Sequence, residues 1–141
     1  MKTFFASFLE ASQISTVQSD LEEYGKDRTK VYQPNPSIVL FPKTSEEVSK
    51  ILSYCNTNNI SVVPSGGRTG LSGAAMANKE ELVISLSKMN SIISVDKIGS
   101  LVEVEAGAIL ESIQDDVAKN GLYFPLDFAA KGTAQIGGCI S

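Results

Sequence analysis

The chain has 141 residues, 43% of them apolar and 20% charged, with a net charge of −4 and no histidine. That is the profile of one globular domain with a real core, too short for two and too apolar for a disordered segment. The acidic balance argues against counterion-driven nucleic-acid binding, and the missing histidine excludes a Ser-His or Cys-His nucleophile pair, a histidine general base and a histidine metal site.

The first ten residues superficially resemble a signal peptide, but the apolar stretch is short and is cut off by Glu10. Phe4, Phe5, Phe8 and Leu9 stand at helical spacing, which predicts a helix packed on the core. Val17, Leu21 and Tyr24 predict a second helix ending near Gly25. Asp27 to Pro36 reads as a connector, because Pro34 and Pro36 block regular structure. Ile38-Val39-Leu40-Phe41 predicts a short buried strand closed by Pro42. Thr44-x-x-Glu47 has capping-box spacing, and Val48, Ile51, Leu52 and Cys55 form an apolar stripe that predicts a helix ending at Asn58-Asn59. Ile60 to Val63 predicts the next strand, so that a β-α-β unit crosses over right-handed into a parallel pair.

Pro64-Ser65-Gly66-Gly67-Arg68-Thr69-Gly70-Leu71-Ser72-Gly73 follows that strand directly. Glycine lacks a Cβ, so this backbone can turn tightly and bring its N–H groups against a ligand. Consecutive N–H groups make an anion-binding concavity, and Arg68 adds a charge. The spacing fits neither a P-loop nor a dinucleotide fingerprint. By composition alone, the stretch fits a phosphate cradle and an ordinary surface loop equally well. Arg68 has two readings: contact with a phosphate, or a salt bridge to a neighbouring carboxylate.

Further strands are predicted at Leu82 to Leu86, Ile92 to Val95 and Leu101 to Glu105. The last alternates valine with glutamate, as a half-exposed strand does. Asp96 to Ser100 is a turn, and Ile109, Leu110, Ile113 and Val117 mark a helix that stops at Asn120-Gly121. No run reaches the length of a transmembrane helix. Cys55 and Cys139 lie far apart without a C-x-x-C pattern, which fits buried thiols in a reducing compartment, the cytoplasm. No metal site is expected.

Near the C-terminus stands Phe124-Pro125-Leu126-Asp127-Phe128-Ala129-Ala130-Lys131-Gly132-Thr133-Ala134-Gln135-Ile136-Gly137-Gly138-Cys139. Together with Leu40-Phe41-Pro42-Lys43-Thr44-Ser45-Glu46-Glu47-Val48, the first glycine-rich loop and Val104-Glu105-Ala106-Gly107, this resembles the FAD-binding domain of the vanillyl-alcohol oxidase / p-cresol methylhydroxylase superfamily. Within it the likeness is to the D-lactate, glycolate and D-2-hydroxyglutarate dehydrogenases.

The resemblance implies an α+β fold. A small parallel β-α-β unit is followed by part of a mixed or antiparallel sheet with a helix. Residues 1–33 would be a helical extension, and 34–141 the N-terminal portion of the FAD-binding domain. It implies FAD as cofactor, with Ser65, Gly66, Gly67, Arg68, Thr69, Gly70, Leu71, Ser72 and Gly73 along the pyrophosphate. Pro125, Leu126 and Asp127 would lie beside the flavin, and Gly132, Thr133, Ile136, Gly137 and Gly138 in a second flavin-contacting loop. Asp127 also has the more ordinary reading of a loop cap, and Lys131 that of an exposed cation. Cys139 departs from the family's pattern, which has Asn after the glycine pair.

No catalytic residue is expected here. The resemblance places the acid-base and substrate-binding side chains in a further domain, so the chain reads as an N-terminal fragment, inactive alone. It would belong to a flavin-dependent oxidoreductase acting on a small 2-hydroxy acid, with the electron acceptor unspecified. Two alternatives are a related flavin reductase, such as an enolpyruvyl reductase, and a non-catalytic phosphate- or nucleotide-binding module.

Overall fold

The computed structural model describes residues 1–29 and 31–141; Lys30, in the predicted connector, lies outside the described residues. Helix α1 (Lys2–Phe5) and a 3-10 turn (Ala11–Gln13) lead into β1 (Ile14–Ser15) and α2 (Gln18–Tyr24). Next come β2 (Ile38–Leu40), α3 (Ser45–Thr57), β3 (Val62–Ser65) and β4 (Leu82–Ser85). The hairpin β5 (Ile92–Asp96) and β6 (Leu101–Val104), α4 (Leu110–Lys119) and α5 (Ile136–Ile140) complete the order.

The main sheet runs β1-β2-β4-β3, with β4 parallel to both of its neighbours and β1 antiparallel to β2. This corrects the expected direct pairing of the two strands flanking α3: β4 sits between them. A crossover fixes only that two strands are parallel, and the more continuously apolar strand takes the centre. All four residues of β4 are buried, whereas β3 exposes Pro64. A proline cannot donate to a ladder and belongs at an edge.

Side chains alternate across the sheet. Ile38, Leu40, Leu82 and Ile84 meet Ile51 and Cys55 of α3 together with Phe5 and Leu9. Val39, Phe41 and Val83 face the other way, against Ala77, Leu21 and Tyr24. Phe5 and Leu9 are buried, each contributing about 2 kcal/mol of transfer free energy. The N-terminal stretch therefore forms part of the core, and β1 extends the sheet. The periodicity missed β1 because two residues carry no period. It also overestimated α1, which ends at Phe5 and passes through turns into a separate 3-10 helix with a Glu10–Gln13 capping box.

The helix stripe needs one exchange: Leu52 is 45% exposed, and Tyr54 packs on the core in its place. The capping box forms by half. Thr44 Oγ1 accepts from Glu47 N at 3.2 Å, but the Glu47 carboxylate accepts from Lys43 N and Gln13 Nε2, both at 2.7 Å.

A second core joins α4, through Leu110, Ile113 and Val117, to Val102 and Val104 of β6 and to Ile136 of α5. Cys139 packs there half-buried, not fully buried as expected, while Cys55 is buried. Both cysteines are free thiols, and burial pushes both up from the ordinary range. Among the described residues no helix is long and apolar enough to cross a membrane.

Candidate functional site

The glycine-rich loop leaves the C-terminal end of β3, beside the end of β4: Ser65 pairs with Ser85, and Leu86 N donates to Ser65 O at 3.2 Å. The carboxyl ends of parallel strands are where such sheets place ligands, because the connections diverge there and leave a crevice. Three further segments converge on it. Gly107 N donates to Met89 O (2.8 Å), Gly137 N to Ala106 O (2.8 Å), Ile136 N to Ala108 O (2.9 Å) and Leu110 N to Ala134 O (3.0 Å). The segment after β6 thus ties the strand ends to residues 134–137.

The two loops touch. A Cβ built on Gly67 would overlap the Thr133 carbonyl oxygen outright and stand 2.9 Å from Ala134 Cα. One on Gly66 would meet Gln135 Oε1 at 3.4 Å. At Gly67 the lack of a side chain is therefore a packing requirement. The second stretch is not wholly a loop, as expected, but turns into α5 at Ile136. Gln135 caps that turn of helix while bridging to Ile109.

Among the described residues, no backbone N–H from Gly66 to Ser72 donates to another group of the chain. Two buried side-chain atoms at the same place also lack partners, Ser65 Oγ and Gln135 Oε1. Buried polar atoms are nearly always paired, so these need a ligand or solvent to complete them. A row of free N–H groups beside them is suited to an anion with hydrogen-bonding neighbours, such as a diphosphate with its sugar hydroxyls.

Arg68 takes the salt-bridge reading here. Its guanidinium pairs with Glu23 at 3.0 Å, donates to Gly66 O at 3.2 Å and lies 4.7 Å from the Tyr24 ring centroid. Its φ of 54° lies in the left-handed region, which these contacts stabilise. Lys26, with burial opposing it and Arg68 assisting, holds the Glu23 carboxyl below its ordinary range.

Leu71, Ser72 and Gly70 are exposed, and Leu71 is 77% so. Leu126 joins the second core, and its carbonyl accepts from Gln114 Nε2 at 2.6 Å. Pro125 is exposed next to it. Asp127 pairs with Lys131, four residues on, at 2.9 Å, and this hydrogen bond raises the Lys131 ammonium above its usual range. Gly132 lies against Glu111 Oε2. Two surface grooves lie elsewhere, one beside Leu101 and Tyr123, the other beside Phe4 and Tyr54. The candidate site lies where the two loops meet, at the Gly67–Thr133 contact.

Composition and periodicity did not reveal Asp27, Gln135 or the Leu86–Met89 turn. Asp27 stood in what read as a connector, and no local pattern marks its bond to Gly73, 46 positions away.

Residues 36–141 match the family model described as FAD binding domain. The chain belongs to the FAD-binding domain family. FAD is the cofactor of this fold, and the free N–H row with its two unpartnered side-chain atoms fits the diphosphate part of it. A D-2-hydroxyglutarate dehydrogenase of Xanthomonas citri pv. viticola is 41% identical over 131 residues, 93% of this chain and 28% of that protein. A mitochondrial protein of Schizosaccharomyces pombe that carries a D-lactate dehydrogenase name is 39% identical over 133 residues, 94% of this chain and 25% of that one.

Among solved structures, an alkyldihydroxyacetonephosphate synthase superposes with a TM-score of 0.87 over 97% of this chain and 30% of its own, at 17% identity. A p-cresol methylhydroxylase superposes with a TM-score of 0.74 over 92% and 26%, at 24% identity. These two show the fold, a mixed α+β domain. The chain spans about 28% of the length of the first relative.

Proposed function

We propose that this chain is the diphosphate-holding part of a flavin-dependent oxidoreductase that oxidises a small 2-hydroxy acid. The names carried by the relatives support the substrate class, D-2-hydroxyglutarate or D-lactate. The observation that carries the site is the direct contact of the two loops, with Gly67 seated on Thr133 and Ala134 and a row of N–H groups left free beside it.

Bound FAD supplies a two-electron acceptor, which no side chain can provide. This chain's share is to bind and orient it. Ser65 to Gly73 lie along the diphosphate, Gly66 to Ser72 through their free backbone N–H groups, with Ser65 Oγ and Gln135 Oε1 completing the inner edge. Gly132, Thr133, Ile136, Gly137 and Gly138 border the same crevice, and Pro125, Leu126 and Asp127 flank the flavin end. Arg68 acts mainly by fixing the loop through Glu23 and Tyr24. Residues 34–141 form the FAD-binding portion and 1–33 an extension folded into its core. Groups outside these 141 residues hold the hydroxy acid, take its hydroxyl proton and meet the electron acceptor. The free thiols support a cytoplasmic setting.

Two measurements test this. Titration of the 141-residue chain with FAD, followed by amide NMR, should shift the Gly66, Gly67, Gly70 and Gly73 signals, with weak affinity for a chain that spans about 28% of the first relative's length. Protein of the relatives' length should be yellow and should bleach anaerobically with D-2-hydroxyglutarate, D-lactate or glycolate. A colourless protein indifferent to all three would refute the reading.

A further inference from the structure

Asp27 is 93% buried by side-chain packing, with 7% of its surface exposed, although it lies nine residues before the segment matched by the FAD-binding family. Its Oδ1 accepts from Thr29 N at 2.8 Å and from Thr29 Oγ1 at 2.6 Å. Its Oδ2 accepts from Gly73 N at 2.9 Å. Neighbouring backbone bonds run in step with it: Arg28 N to Gly70 O at 3.3 Å and Ala77 N to Gly25 O at 2.9 Å. Asp27 N itself donates to Met76 Sδ at 3.2 Å.

Gly73 has φ +80°, and its N–H is the first after the free row to find a partner. The loop is thus held at its two ends by β3 at Ser65 and by the carboxylate of Asp27 at Gly73, with Arg28 N on Gly70 O and the Arg68–Glu23 pair between them. A loop fixed at both ends before the ligand arrives is spared part of the ordering cost of binding.

We propose that Asp27 is a positioning residue for the FAD diphosphate: by holding Gly73 N–H it keeps the Gly66–Ser72 backbone in the shape that presents its N–H groups to the anion. The inference rests on the FAD reading above. All three of its contacts are accepted hydrogen bonds, so an isosteric amide cannot replace it. In either orientation the amide turns an NH2 group toward an N–H that needs an acceptor.

The experiment uses the 141-residue chain and its Asp27→Asn and Thr29→Val variants, with FAD and riboflavin as probes and affinities read from loop amide shifts. Riboflavin carries no phosphate. Asp27→Asn should weaken FAD binding about fivefold or more while leaving riboflavin binding within about twofold. Without ligand, it should speed exchange at the Gly73 amide about tenfold, with Val39 and Val83 in the sheet unchanged. Thr29→Val removes one donor but spares the Gly73 bond, so its FAD affinity should stay within about twofold of the parent.

Equal FAD affinity in Asp27→Asn and the parent overturns the inference. So does a parallel loss of riboflavin binding, or a loss in Thr29→Val as deep as in Asp27→Asn, since each would mark a general structural role. A parent chain whose loop amides ignore FAD overturns the FAD reading itself, and this inference with it.

Discussion

Gly67→Ala is the sharpest test of the contact between the two loops. The new methyl group would fall on the Thr133 carbonyl oxygen and within 2.9 Å of Ala134 Cα, both backbone atoms with no rotamer to yield. Residues 134–137 cannot retreat, because Ala106 and Ala108 hold them by the bonds at Gly137, Ile136 and the neighbouring bridge. The loops must therefore part, which costs about 2 kcal/mol on the scale of overpacked interiors. Unfolding entropy of about 2.1 cal/mol/K per residue gives about 0.3 kcal/mol/K for a chain of this length, so the melting temperature should fall by about 7 °C. Gly70→Ala is the control: a Cβ there meets nothing within 4 Å. That variant should melt within about 2 °C of the parent. Thermal unfolding followed by circular dichroism measures both. If Gly67→Ala and Gly70→Ala melt together near the parent, the two loops do not pack as described and the shared crevice is lost.

Gly73→Ala separates strain from crowding, because its Cβ would be in open space but its φ of +80° disfavours any side chain. It should destabilise the chain by about 1 kcal/mol in chemical denaturation, with the core amides unmoved. Acid should loosen the same region. Burial works to raise the Asp27 carboxyl, but the hydrogen bonds from Thr29 and Gly73 outweigh it and hold it below its ordinary range. A lowered folded-state value means that the contribution is full above the unfolded value of about 3.9 and is lost as pH falls through the folded one. The gap in urea midpoint between the parent and Asp27→Asn should therefore be full at about pH 7 and should narrow as pH falls below about 3.9; a gap independent of pH would contradict the assignment. Lys131→Ala breaks an ion pair on the surface and should change stability by less than about 0.5 kcal/mol, read by the same midpoints.

The apolar runs at Ile38–Phe41 and Leu82–Leu86 announced buried strands, because a strand covered on both faces carries no polar positions. The stripe at Ile51 and Cys55, and that at Leu110, Ile113 and Val117, announced helices, because one covered face imposes a 3.6-residue period. The glycines of the first loop announced a backbone that needs bare approach, and the residue pattern carried the family. These are local facts, written into neighbours along the chain, and the amino-acid order alone contained them.

Partner choice was decided elsewhere. That β4 lies between β2 and β3 depends on which strand is apolar on both faces once the sheet is stacked. That Arg68 answers Glu23 and Tyr24, that Gly67 must be bare because Thr133 stands against it, and that Asp27 holds Gly73 are pairings across 45, 66 and 46 residues. Such contacts leave no period in the sequence, because a hydrogen bond or a steric overlap depends on distance in space. Only the folded chain brings those atoms within reach.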